Sequence, residues 1–118
     1  MALQDAGVPA DHIIVQDVPG AFELPVMVRQ LVHTHELDAV VAIGCLIKGE
    51  TLHFEYIAEA VSHGLMDISL STGVPVVFGV LTCLTEEQAV ARSRGEGNLG
   101  FSWGKTALEM AEKHKIFS

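Results

Sequence analysis

The chain has 118 residues, 49% of them apolar, and a formal net charge of −8 from seven basic and fifteen acidic side chains. That length suits one domain with a core large enough to fold without disulfides or metals. Seven Lys and Arg are too few for a phosphate-tracking nucleic-acid surface, and no run approaches the roughly eighteen uncharged apolar residues that a membrane-spanning helix needs.

In chain order, "MALQDAG" has helical composition and a stop signal at Gly7, but at fewer than two turns it is short for a helix. It lacks the basic region and apolar stretch of a secretory signal. With Cys45 and Cys83 both set in apolar surroundings without zinc-like or redox-like spacing, free thiols and a cytoplasmic location are expected. "HIIVQDV" is β-branched and predicts a first strand. Leu24, Met27, Val28, Leu31 and Val32 recur at helical spacing. "DAVVAIGCLI" is a second strand, too continuously apolar to be half exposed. Phe54, Ile57, Ala58, Val61, Leu65 and Ile68 mark a long helix, and "PVVFGVLT" a third strand. Thr85-Glu86-Glu87-Gln88 matches a capping box at the start of another helix, and "GKTALEMAEKH" reads as the last, with basic residues towards its C-terminal end.

This alternation predicts a three-layer α/β/α sandwich with a parallel sheet and helices on both faces. Three strands are few for such a sheet, so residues 1–118 read as a single domain incomplete at its N-terminus, with an upstream strand and most of a helix lost.

Ligands of open parallel sheets bind beyond the carboxyl ends of the strands, and Lys48-Gly49-Glu50-Thr51 occupies such a place. Gly49 allows close backbone approach. The N–H groups heading the next helix suit a phosphate or carboxylate, with Thr51 adding a hydroxyl and Lys48 a charge. His53 then falls in the first helical turn, where the helix dipole disfavours the imidazolium and leaves a neutral base. On spacing alone a plain polar turn, with His53 as a cap or surface residue, stays open.

"VPGAFELP" places Ala21, Phe22 and Glu23 at the same edge of the sheet, while Phe78 lies in the third strand and Arg92 on the helix after it. Core packing for the two phenylalanines and a solvated charge for Arg92 are the structural alternatives. His33-Thr34-His35 and His63 read as surface residues, Glu86 and Glu87 as helix-start charges and Met110 as core filler.

Taken together, "VPGAFELP", "IGCLIKGETLHFEYIAEA", "GVPVVFGVLTCLTEEQAVAR" and "WGKTALEMA" resemble the lumazine synthase family, collinearly over nearly the whole chain. "GVLTCLTEEQA" and Trp103-Gly104 are more similar to its fungal branch. The resemblance implies a flavodoxin-like fold and a transferase of riboflavin biosynthesis. It would condense 5-amino-6-(D-ribitylamino)uracil with 3,4-dihydroxy-2-butanone 4-phosphate, releasing phosphate and water, without metal or organic cofactor. It further implies that Ala21, Phe22 and Glu23 hold the ribityl chain and uracil, and that the backbone of Cys45, Leu46 and Ile47 reads the pyrimidine. Gly49, Glu50 and Thr51 would bind the butanone phosphate, with His53 transferring protons. Phe78 and Arg92 match positions supplied by a neighbouring subunit, which implies a homo-oligomer, at least a pentamer.

The resemblance also has departures. Relatives carry an upstream strand, central in their sheet and ending in an aromatic that stacks on the pyrimidine. "SRGEGNLG" is shorter than the fungal loop, Leu99 stands where relatives place Lys or His, and Lys48 replaces the arginine common in bacterial members, keeping charge without bidentate geometry. These departures leave an alternative: a catalytically impaired homologue that binds a flavin or lumazine or serves as an assembly subunit. A general flavodoxin-like phosphate binder is set aside by the collinear motifs.

Overall fold

The computed structural model describes residues 3, 7–47, 53–83, 87–88 and 99–117. Its regular elements are two short 3-10 turns, Ala10–His12 and Ala21–Glu23, helix α1 (Leu24–Thr34), strand β1 (Val40–Ile47), helix α2 (His53–Thr72), strand β2 (Val76–Cys83) and helix α3 (Gly100–Phe117). Among the described residues no helix is long and apolar enough to cross a membrane.

The α/β architecture with parallel strands is as the sequence predicts. β1 and β2 pair in parallel from Val40↔Val76 to Ile47↔Cys83, with α2 as the crossover between them. Alternate strand residues face opposite sides. On one side a side chain added at Gly44 would meet Leu24 and Ala21, and Val28, Ala42, Val61, Leu65, Ile68 and Val80 complete the core there. On the other side Gly79 lies under the Trp103 indole of α3. Helices therefore cover both faces. Val61 is fully buried, and burying a side chain of this size contributes about 1.5–3 kcal/mol.

The predicted first strand is a correction. Ala10–His12 is a 3-10 turn, and residues 13–18 carry no ladder hydrogen bonds, although Ile13 has extended dihedrals (φ −113°, ψ 122°). The sheet of the described residues has two strands, not three. A β-branched run becomes a strand only when another strand accepts its N–H and C=O groups. Among the described residues none does, and only Val18 of this run packs against the core.

The helices follow their predicted periods with longer ends. Pro25 sits in the first turn of α1, where a missing N–H costs nothing. α2 closes on Gly73, whose positive φ (76°) lets its N–H reach the Ser69 carbonyl at 3.0 Å. The Thr72 hydroxyl donates to the Ile68 carbonyl at 2.6 Å, and the Val76 N–H reaches Ser69 Oγ at 3.3 Å, tying the end of the helix to the start of β2. α3 begins four residues before the predicted Gly104, and its inner face, Trp103, Ala107, Ala111 and His114, recurs at three and four. Of the predicted capping box, Glu87 and Gln88 have helical backbone, while Thr85 and Glu86 lie outside the described residues.

Candidate functional site

Parallel pairing brings the carboxyl ends of β1 and β2, at Ile47 and Cys83, to the same edge of the sheet. The start of α2 follows β1 in the chain, and its first residue is His53, which is solvent-exposed. Two residues on, Glu55 is half-buried with Oε2 out of contact with solvent. No sequence signal singled out this carboxylate, and its spacing puts it on a different face of the helix from His53.

The Ala21–Glu23 turn is delivered to this region by packing. It touches both β1 and α2, and Ala21 lies 3.6 Å from the place where a Cβ at Gly44 would stand. A bulkier residue at Gly44 would push the turn away. The Glu23 N–H donates to the Gly20 carbonyl at 3.2 Å, and the Glu23 carboxylate folds back towards Gly20. Phe22 is 62% exposed, so it projects outward instead of filling the core. A phenyl face beside a carboxylate can hold a planar ring and hydroxyl groups.

Along β1, Leu46 turns towards the α1/α2 core, while Cys45 and Ile47 turn to the opposite face and are exposed. Among the described residues β1 pairs with β2 alone, so the outer edge of β1 carries no ladder partner. Main-chain donors and acceptors there are open to a planar heterocycle.

Phe78 is elsewhere. It lies on β2 five residues before Cys83, about 16 Å along the strand. It is 42% exposed and borders an open hollow of about 350 Å³ with Ser69, Pro75, Thr106 and Met110. The structure thus brings the Ala21–Glu23 turn against β1 at Gly44, while Phe78 stands level with Ala42, well short of the carboxyl ends of the strands. Lys48, Gly49, Glu50, Thr51 and Arg92 lie outside the described residues; Leu99 is described and exposed.

At the other pole His33, His35, Glu36, Asp38 and His114 line a shallow cleft of about 610 Å³. His33 and His35 are exposed, as their spacing suggested. Among the described residues no three His, Cys, Asp or Glu are placed to hold a metal ion.

One juxtaposition has no counterpart in the linear motifs. Both cysteines are free thiols, as expected, yet they are not isolated: register sets Cys45 opposite Leu81, with Cys83 two positions further along on the same face of the sheet. Burial, and then Cys83 itself, push the Cys45 thiol up from its ordinary value. Strand register, unlike sequence spacing, would have disclosed the pair.

Residues 1–115 match the family described as 6,7-dimethyl-8-ribityllumazine synthase. The chain is similar to proteins of that name from Schizosaccharomyces pombe (50% identical over 108 residues, 90% of this chain and 68% of the relative) and Porphyromonas gingivalis (48% over 115 residues, 97% and 71%). A third, from Pyricularia oryzae, is 42% identical over 148 residues, covering 92% of this chain and 74% of the relative. With a family match over nearly its whole length and relatives this similar, the chain belongs to the 6,7-dimethyl-8-ribityllumazine synthase family.

Proposed function

We propose that the protein is a lumazine synthase, a transferase of riboflavin biosynthesis. It joins 5-amino-6-(D-ribitylamino)uracil to 3,4-dihydroxy-2-butanone 4-phosphate, and releases 6,7-dimethyl-8-(D-ribityl)lumazine, phosphate and water. The family match carries this reading, and the convergence of the Ala21–Glu23 turn on β1 and α2 agrees with it.

The uracil's amine attacks the ketone and water leaves to give an imine. Phosphate then departs by elimination, the enol tautomerises, and the ring closes with loss of water. Phe22 and Glu23 hold the ribityl chain and uracil, while the backbone of Cys45, Leu46 and Ile47 orients the pyrimidine. Gly49, Glu50 and Thr51 take the phosphate, and His53, exposed at the head of α2, moves protons between steps. Imine formation from an amine and a ketone is intrinsically accessible, so much of the acceleration comes from holding two reactants together.

The placement of Phe78 supports a site shared between copies of the chain, because it stands too far along β2 to reach the carboxyl edge of its own sheet. Tyr56, Met66 and Leu70, exposed on α2, and Ile43, exposed on β1, supply apolar surface for association. We infer a homo-oligomer built at least from pentamers, with Phe78 and Arg92 completing the neighbouring site, in a cytoplasmic location suited to its free thiols. Mixing purified protein with both substrates and following lumazine fluorescence alongside phosphate release tests the activity. Product formed in step with phosphate is expected; neither appearing would refute it.

A further inference from the structure

Gly64 lies in the interior of α2, eleven residues beyond His53, where glycine weakens a helix more than any residue but proline. What crosses it explains its place. A Cβ at Gly64 would stand 3.1 Å from both Cβ and Cγ of Pro25, so the first turn of α1 beds directly on the backbone of α2. Two carbons rest about 3.5–4.0 Å apart, and a methyl at Gly64 would therefore force the proline ring away by about 0.4 Å or more. The ring cannot swing aside, because it is closed onto its own main chain. The movement passes to the backbone of α1.

Only Leu24 separates Pro25 from the Ala21–Glu23 turn. That turn is held on its other side by β1, where Ala21 Cβ and Leu24 Cδ1 lie 3.6 and 3.4 Å from the Cβ position of Gly44. Phe22 and Glu23 thus stand in the chain between a hold on β1 at Ala21 and a hold on α2 at Pro25. Displacing α1 at Pro25 levers the turn against Gly44 and carries both side chains with it.

We propose that Gly64 is a positioning residue for the ribitylaminouracil: its bare backbone sets how closely α1 beds on α2, and through Pro25 it sets where Phe22 and Glu23 meet that substrate. This inference rests on the reading of the turn as the element that holds the ribityl chain and uracil. The butanone phosphate is handled at the head of α2 in the same reading, and His53 there lies about 16 Å along the helix from Gly64. A shift at Gly64 therefore separates the two substrates.

The test is steady-state kinetics with each substrate varied in turn. Gly64→Ala should raise KM for the ribitylaminouracil about 3- to 10-fold, short of the roughly 10²-fold cost of a misplacement of about 1 Å, and leave KM for the butanone phosphate unchanged. Pro25→Gly empties the same seat without crowding it, should raise the same KM, and carries the test if the alanine disturbs folding. Gly64→Ala/Pro25→Gly moves the contact from one helix to the other and should bring that KM back down. A general loss of structure would move both KM values alike and would not be reversed by a second change. The ribitylaminouracil's KM unmoved in both single variants, both KM values raised alike, or a double variant no better than Gly64→Ala would overturn the role. Glu23→Gln separates the two ways of failing. If it raises the ribitylaminouracil's KM while the Gly64 and Pro25 variants do not, the turn binds and Gly64 does not position it; if it does not, the reading of the turn falls and the role of Gly64 with it.

Discussion

Gly79 of β2 lies directly beneath the indole of Trp103 on α3: a Cβ on Gly79 would stand 3.1 Å from Trp103 Cε3 and 2.8 Å from the Ala42 carbonyl oxygen on β1. The second distance is the more severe, because a strand carbonyl in a ladder cannot swing aside as a side chain can. Gly79→Ala should cost about 1–3 kcal/mol, the usual range for overpacking. The check is a urea unfolding curve, in which the midpoint should fall with little change in slope.

His53 stands at the exposed head of α2, and the proposed mechanism has it move protons between steps. His53→Ala should lower turnover by about 10²-fold, the lower end of general acid–base contributions, and leave a measurable rate from positioning alone. Steady-state kinetics with both substrates decide this, and an unchanged kcat would remove the histidine from the mechanism.

If Phe78 serves a neighbouring copy, two impaired variants should rescue each other. His53→Ala and Phe78→Ala subunits, unfolded together and reassembled in equal amounts, would place an intact pair at about a quarter of the shared interfaces. Activity of the mixture should then exceed the average of the separately assembled variants. Sites lying within one chain would give no gain.

Cys45 offers a pH readout with a defined sign. Its thiol titrates above the ordinary value because of burial, then of Cys83 as a charge and a hydrogen-bonding neighbour. Thiolate is the form that reacts, so alkylation of Cys45 should set in only at alkaline pH. Cys83→Ala removes two of the three causes, and the profile should move to lower pH. An unmoved profile would leave burial as the whole cause.

Elements governed by local repetition were legible from the sequence. Val61, Leu65 and Ile68 define the inner face of α2 by spacing alone, and the apolar runs of β1 and β2 lie within a residue or two of their observed bounds. α3 begins earlier than expected because Gly100 and Ser102 weaken the helical signal ahead of Trp103, whose packing on Gly79 draws that first turn into the helix. Residues 13–18 went wrong for the opposite reason: their composition is that of a strand, but a strand is a relation between two segments. The site divides likewise. His53 could be placed from the strand-to-helix handover, whereas the roles of Ala21, Phe22 and Glu23 needed the family resemblance, and the Cys45–Cys83 juxtaposition needed the register.

The crossover β1–α2–β2 has a consequence for the order of assembly. Its strands are joined by an unbroken stretch of chain, and the helix between them already supplies Val61, Leu65 and Ile68 to the core, so this unit can nucleate before more distant segments arrive. α3 then docks through Trp103 onto a ladder that is already formed. Substitutions at Val61, Leu65 or Ile68 should slow refolding, while replacement of Trp103 itself should mainly hasten escape from the native state.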